Sequence, residues 1–231
     1  MRVFFALLIA SIIGALQGVF GYKYDRLEKN NSVVVLVDQQ IGVHEMVRDF
    51  EPVEFKNKVL AHAAIAKLFD IPIVITTTTD DGPNGPIIKE ISDMYPDTPV
   101  IRRPGEVNAW DNEEFREAVR ATGKTQIILA GVITDVCTTF LALSFVDEGY
   151  TVYANAEASG TYSSRMAEYA NDRMRAAGVQ VVPTIAIVME LMRDWRATPG
   201  AAELAPFIDE YLPFYGIIAR NFNYAKNGTQ V

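Results

Sequence analysis

The chain has 231 residues, 49% of them hydrophobic, and a formal net charge of -8. That length suits one α/β domain with a full core, and no basic stripe exists to neutralise phosphates, which argues against a nucleic-acid partner. The sequence holds one cysteine, so no internal disulfide can form and stability must come from packing.

Residues 1–20 differ from all that follows. Arg2 precedes an apolar run over 3–10, with small residues further on at Ala15 and Gly18. This is the pattern of a secretory signal peptide, cleaved between Ala15 and Gly21, and it predicts a secreted protein. The alternatives are an uncleaved anchor, which would make a membrane the partner, and a cytoplasmic protein whose start is mis-assigned. The apolar length is marginal for a bilayer span, which needs roughly 18 residues or more. Two glycosylation sequons, at Asn30 and Asn227, are compatible with export. The chain divides into this leader (1–20), a main domain (21–198) and an aromatic-rich tail (199–231).

Residues 32–38, SVVVLVD, form a nearly continuous β-branched run, as expected of a strand buried on both faces of a parallel sheet. The run ends on Asp38. A carboxylate there is either a turn cap or a paired, working group. Helical spacing over 55–69 places Val59, Ala63, Ala66 and Leu68 on a buried face and leaves His62 as a helix-surface residue. Residues 71–77 give the second strand, and TTDDGPNGP over 78–86 is a loop of fixed shape at its carboxyl end. A third strand is predicted at 98–102 and a helix at 113–120. Between them the loop from Arg102 to Trp110 carries two cations and an aromatic ring on the side where open α/β sheets bind ligands.

A fourth strand is predicted at 127–130, followed by a helix over 136–146. Cys137 opens that helix. A thiol at this position meets unpaired backbone N–H groups and the positive end of the helix dipole, which favour the thiolate; the plainer reading is a small buried apolar side chain. Strands at 151–154 and 179–182 and helices at 165–176 and 184–195 complete the alternation. The tail holds Phe207, Tyr211, Leu212, Phe214, Tyr215 and Phe222, and a subunit contact within a homo-oligomer is the expected outlet for them.

The alternation predicts a doubly wound, six-stranded parallel sheet with helices on both faces, a three-layer α/β/α sandwich. If the strand order is 3-2-1-4-5-6, strands one and four are neighbours, and Asp38 and Cys137 would face each other across the ligand crevice. A carboxylate cannot lower a thiol pKa by charge, but it can take the proton as a general base, and a cation from Arg102 or Arg103 would steady the pair.

Asp38 at the end of the first strand, the GPNGP loop, RPGEVNAWDN, GVITDVC and ASGT at 158–161 occur here in one order. Together they resemble the isochorismatase-like cysteine hydrolases, most closely the YcaC-type branch, over about residues 24–195. The resemblance implies a triad of Asp38 as base, Arg103 as the basic member and Cys137 as nucleophile. It implies a cis Val132-Ile133 peptide and an oxyanion hole formed by the N–H groups of Ile133 and Cys137. His44, Asn108, Trp110 and Thr134 are the expected pocket residues. Many family members carry lysine where Arg103 stands; arginine can hold a carboxylate bidentately but gives up no proton near neutral pH. Nicotinamidases of the family bind a metal through aspartate and histidines. The corresponding loop here lacks histidine, so neither metal nor other cofactor is expected.

Two functions follow. One is hydrolysis of a small-molecule amide, imide or related C–N substrate. The other is an idle binding protein that retains the fold. A costly buried carboxylate beside the cysteine favours the first.

Overall fold

The computed structural model describes residues 24–227; the leader, its cleavage point and part of the second sequon lie outside them. Six parallel strands are ordered β3-β2-β1-β4-β5-β6. They are β1 (Ser32–Val37), β2 (Ile73–Thr78), β3 (Val100–Arg103), β4 (Gln126–Gly131), β5 (Thr151–Asn155) and β6 (Gln180–Val182). The helices are α1 (Ile41–His44), α2 (Pro52–Phe69), α3 (Lys89–Met94), α4 (Glu113–Ala121), α5 (Thr139–Asp147), α6 (Ser164–Ala176), α7 (Thr184–Met192), α8 (Ala201–Tyr211) and α9 (Pro213–Asn227). Among the described residues no helix is long and apolar enough to cross a membrane.

The β-branched runs sit at the centre because both faces of β1 and β4 are covered. Val33, Val35 and Val37 meet Phe115 of α4, Phe145 of α5 and Met174 of α6. The alternate residues point the other way: Val34 packs with Ile65 of α2 and Ile187 of α7, and Leu36 with Phe55 and Val59 of α2. Period-two alternation thus feeds two half-cores from one strand. Each such side chain taken fully out of water contributes roughly 1.5–3 kcal/mol.

Several local expectations are corrected. His62 is buried, not on the surface: it shares the α2 face with Phe55, Val59, Ala66 and Phe69. Its Nδ1 lies 3.2 Å from Nδ2 of Asn155, which donates 3.0 Å to Thr184 Oγ1. The spacing of 55, 59, 62, 66 and 69 already ran through this position. The helix expected to reach Trp195 stops at Met192, where Arg193 adopts φ 63°. The short helix α3 was not anticipated. In the tail, α8 buries Leu204, Phe207 and Ile208 in the core shared with α2 and α7, whereas α9 leaves Phe214, Ile217, Ile218, Phe222 and Tyr224 exposed.

Candidate active site

β1 and β4 lie side by side, with Val37 paired to Gly131, so the residues that follow them start from the same edge of the sheet. Asp38 breaks β1 with φ 54°, in the left-handed region that costs a non-glycine residue roughly 1–2 kcal/mol. Such an outlier at a strand end is a marker of a constrained site. After β4 the chain passes through a cis Val132-Ile133 peptide into a π-turn, Thr134–Thr138. The expected α-helix over 136–146 therefore begins as a π-turn and becomes α-helical only at Thr139. Gly131 permits this path, since a Cβ there would lie 2.8 Å from Thr138 Oγ1 and 2.9 Å from Val37 Cβ and O.

The alternation along β3 decides between the two arginines. Arg102 points outward and pairs with Asp80 at 3.0 Å, and Arg103 is buried. Nη2 of Arg103 donates to Asp38 Oδ1, Nε donates to Thr76 Oγ1 at 3.1 Å, and Nη1 donates to the carbonyls of Glu106 and Val107. Thr76 in turn donates 2.9 Å to the Ile101 carbonyl. The guanidinium is thereby built into the wall of the site.

Asp38 is fully buried, and Oδ2 lacks a hydrogen bond of full geometry. The Cys137 thiol lies near enough to this carboxylate for each to shift the other's proton affinity. Burial pushes the Asp38 carboxyl up, opposed by Arg103 and then by the thiol. Cys137 is partly exposed, and its thiol is pushed up to about 12, first by burial and then by Asp38. The N–H of Ile133 and the charge of Arg103 pull the other way without prevailing. The expectation of a thiolate favoured by its turn is therefore corrected for the resting site. Ionising Cys137 outright adds a second anion to a buried site; passing its proton to Asp38 leaves one anion beside one guanidinium.

The remaining expected residues separate. Thr134 lies beside the sulfur-bearing turn, buried, with Oγ1 unpartnered. His44 approaches from α1: its Nε2 lies 2.7 Å from Gln39 Oε1 while Gln39 Nε2 donates 3.2 Å to Ala158 O. That orientation of Gln39 assigns the proton to Nε2, and burial lowers the ring's pKa to about 4, so it is neutral. Asn108 caps a short turn and donates 2.9 Å to Ser144 Oγ. Trp110 is buried and packs edge-on against Phe115, Phe145 and Tyr150, in the core cluster against which Cys137 also packs. Among the described residues no group of three or more His, Cys, Asp or Glu side chains could hold a metal ion. Residue-type reasoning passed over Thr76 and Gln39, whose position on or just after an inward-facing strand was the available signal.

A doubly wound sheet with a buried carboxylate–guanidinium pair beside a cysteine on a cis-peptide turn defines a class, and residues 32–186 match the model of the isochorismatase domain. The chain belongs to the isochorismatase family of hydrolases. It is 47% identical over 192 residues to "Probable hydrolase YcaC" of Escherichia coli K12, covering 83% of this chain and 91% of that protein. The crystal structure of the E. coli YcaC gene product, an octameric hydrolase of unknown specificity, superposes with a TM-score of 0.85 at 44% identity, covering 89% of this chain and all of that one. YcaC of Pseudomonas aeruginosa, whose structure holds hexane-2,5-diol and a covalent acrylamide, gives 0.84 at 45% identity over 88% of this chain and all of that one.

Proposed function

We propose that this hydrolase acts on a small amide, imide or related C–N substrate through Cys137, with Asp38 as general base and Arg103 as a fixed electrostatic partner. The observation that carries the reading is the placement of Asp38 between a guanidinium with no proton to give and a thiol with one. Cys137 passes its proton to Asp38 as the sulfur attacks the carbonyl carbon. Backbone N–H groups of Ile133 and Cys137 receive the developing oxyanion, a contribution on the order of 3 kcal/mol for such donors. The tetrahedral adduct collapses, the C–N bond breaks, and the leaving amine takes the proton from Asp38. Water, deprotonated by Asp38, then attacks the thioester and releases the acid, restoring the thiol. The covalent acrylamide in the P. aeruginosa relative supports reactivity toward a small amide-bearing electrophile in this family.

Asp38→Asn tests the base with opposing signs. Removing the carboxylate removes a cause of the raised thiol pKa, so the pH midpoint of Cys137 alkylation should move down from about 12. A base role requires that hydrolysis nevertheless fall, by roughly 10²–10⁴-fold. Assayed on a panel of small amides and imides against Cys137→Ala, an Asp38→Asn enzyme that turns over at the wild-type rate would sink the mechanism.

The octameric relative and the exposed apolar face of α9 support a homo-oligomer here as well. The leader supports export, and N-terminal sequencing of the mature protein should then find a start between Ala15 and Gly21.

A further inference from the structure

Residues Ala158 to Thr161, which follow β5, bond to the segments that carry Asp38 and Cys137. The Ala158 carbonyl accepts from Gln39, the neighbour of Asp38, at 3.2 Å. Ser159 Oγ accepts 3.3 Å from the N–H of Gly131 and donates 2.9 Å to the Asn155 carbonyl. The Gly160 carbonyl accepts 3.0 Å from the N–H of Thr134, the first residue of the π-turn. Only a glycine fits there, since a Cβ would lie 2.7 and 2.8 Å from the two methyls of Val47. Thr161, buried to 1% exposure, donates through Oγ1 to Asp135 Oδ1 at 2.6 Å and through its N–H to Asp49 Oδ1 at 2.8 Å. Its carbonyl accepts 2.8 Å from the N–H of Arg48.

Asp135 belongs to the same turn as Cys137, two residues before it, and Asp49 approaches from the loop that leads into α2. Two carboxylates meet at one residue, and that residue supplies a donor to each. Like charges this close repel, and two donors on a single residue offset the repulsion while fixing the position of both. The charge of Asp135 adds to burial in holding the Asp49 carboxyl up, and the Thr161 N–H draws it down.

We propose that Thr161 is a positioning residue for the nucleophile: by bridging Asp135 and Asp49 it holds the π-turn, and with it the Cys137 sulfur, in attacking position. Asp135 is the member of the turn through which it acts. A hydroxyl that ends on this turn, rather than on a helix of the body, sets the sulfur against Asp38 and against the N–H of Ile133. The inference rests on Cys137 being the nucleophile, so the test separates the two.

The readout is the rate of acrylamide adduct formation on the full chain at neutral pH, well below the melting temperature, followed by intact mass, with thermal melts alongside. Thr161→Val should slow the adduct roughly 10- to 100-fold, the cost of a displacement near an ångström. Thr161→Ser should stay close to wild type. Asp49→Asn placed on Thr161→Val should recover part of the loss by removing one of the two facing charges. Asp135→Ala breaks the same bond from the other end and should show the same fall if Thr161→Val does not fold. A purely structural role would lower the melting temperature and leave the adduct rate of the folded protein unchanged, which would overturn the proposal. Equal losses for the Val and Ser variants, or no recovery in the double variant, would overturn it too. A wild-type adduct that survives Cys137→Ala would instead remove the nucleophile, a distinguishable failure.

Discussion

Asp38, Arg103 and Cys137 form one electrostatic unit, and their energetics are coupled. Removing one partner of a buried pair leaves the other charge uncompensated, which typically costs about 3–5 kcal/mol. Arg103→Met should therefore destabilise by that order in urea denaturation, and adding Asp38→Asn should recover part of the loss. A second residue-scale prediction concerns His62, which is fully buried and has its pKa lowered from 6.5 to about 4, first by desolvation. The unfolded chain binds a proton below pH 6.5 and the folded chain does not until about pH 4. Between those values unfolding is favoured as pH falls, and the loss amounts to about 3 kcal/mol at the lower end. His62→Gln should lack that slope when urea stability is compared between neutral pH and pH 4.5; an unchanged slope would mean that the histidine is charged in the fold.

At the scale of elements, what matters is where strands stop and how the next segment starts. β4 ends on Gly131, and the π-turn closes against it and against Val37. Gly131→Ala should cost about 1–3 kcal/mol through overpacking and should displace the turn, so the proposed hydrolysis should fall together with stability. Wild-type activity in that variant would show that the turn has slack. Much of this level was legible in advance: the β-branched runs located all six strands, and the order 3-2-1-4-5-6 brought Asp38 beside Cys137. The π-turn was not legible, because the apolar spacing of Val136 to Phe145 is compatible with an ordinary helix. The buried His62 was half legible: its spacing put it inside, and its residue type argued for the surface.

At the scale of the whole molecule, α8 and α9 take opposite roles. α8 closes the core over α2, and α9 presents Phe214, Ile217, Ile218 and Phe222 to the outside at near-helical spacing. A stripe of that kind on a protein with an octameric relative fits a subunit contact. Ile218→Glu combined with Phe222→Glu should lower the mass measured by light scattering while leaving the far-ultraviolet circular dichroism intact. An unchanged mass would move the contact elsewhere.

The amino-acid sequence alone determined the class of fold and placed Asp38 at the end of one strand and Cys137 just after another; the strand order and the choice of Arg103 came with the family resemblance that its motifs carry. Those follow from local patterns: runs of apolar residues at period two, breakers at strand ends, and motifs held together by chain neighbours. Only the tertiary structure decided that Arg103 faces inward and Arg102 does not, that the thiol rests protonated, that Trp110 belongs to the core, and that Thr161 joins two carboxylates. These depend on burial and on partners distant along the chain. Desolvation and charge at one point are sums over neighbours that no single segment contains.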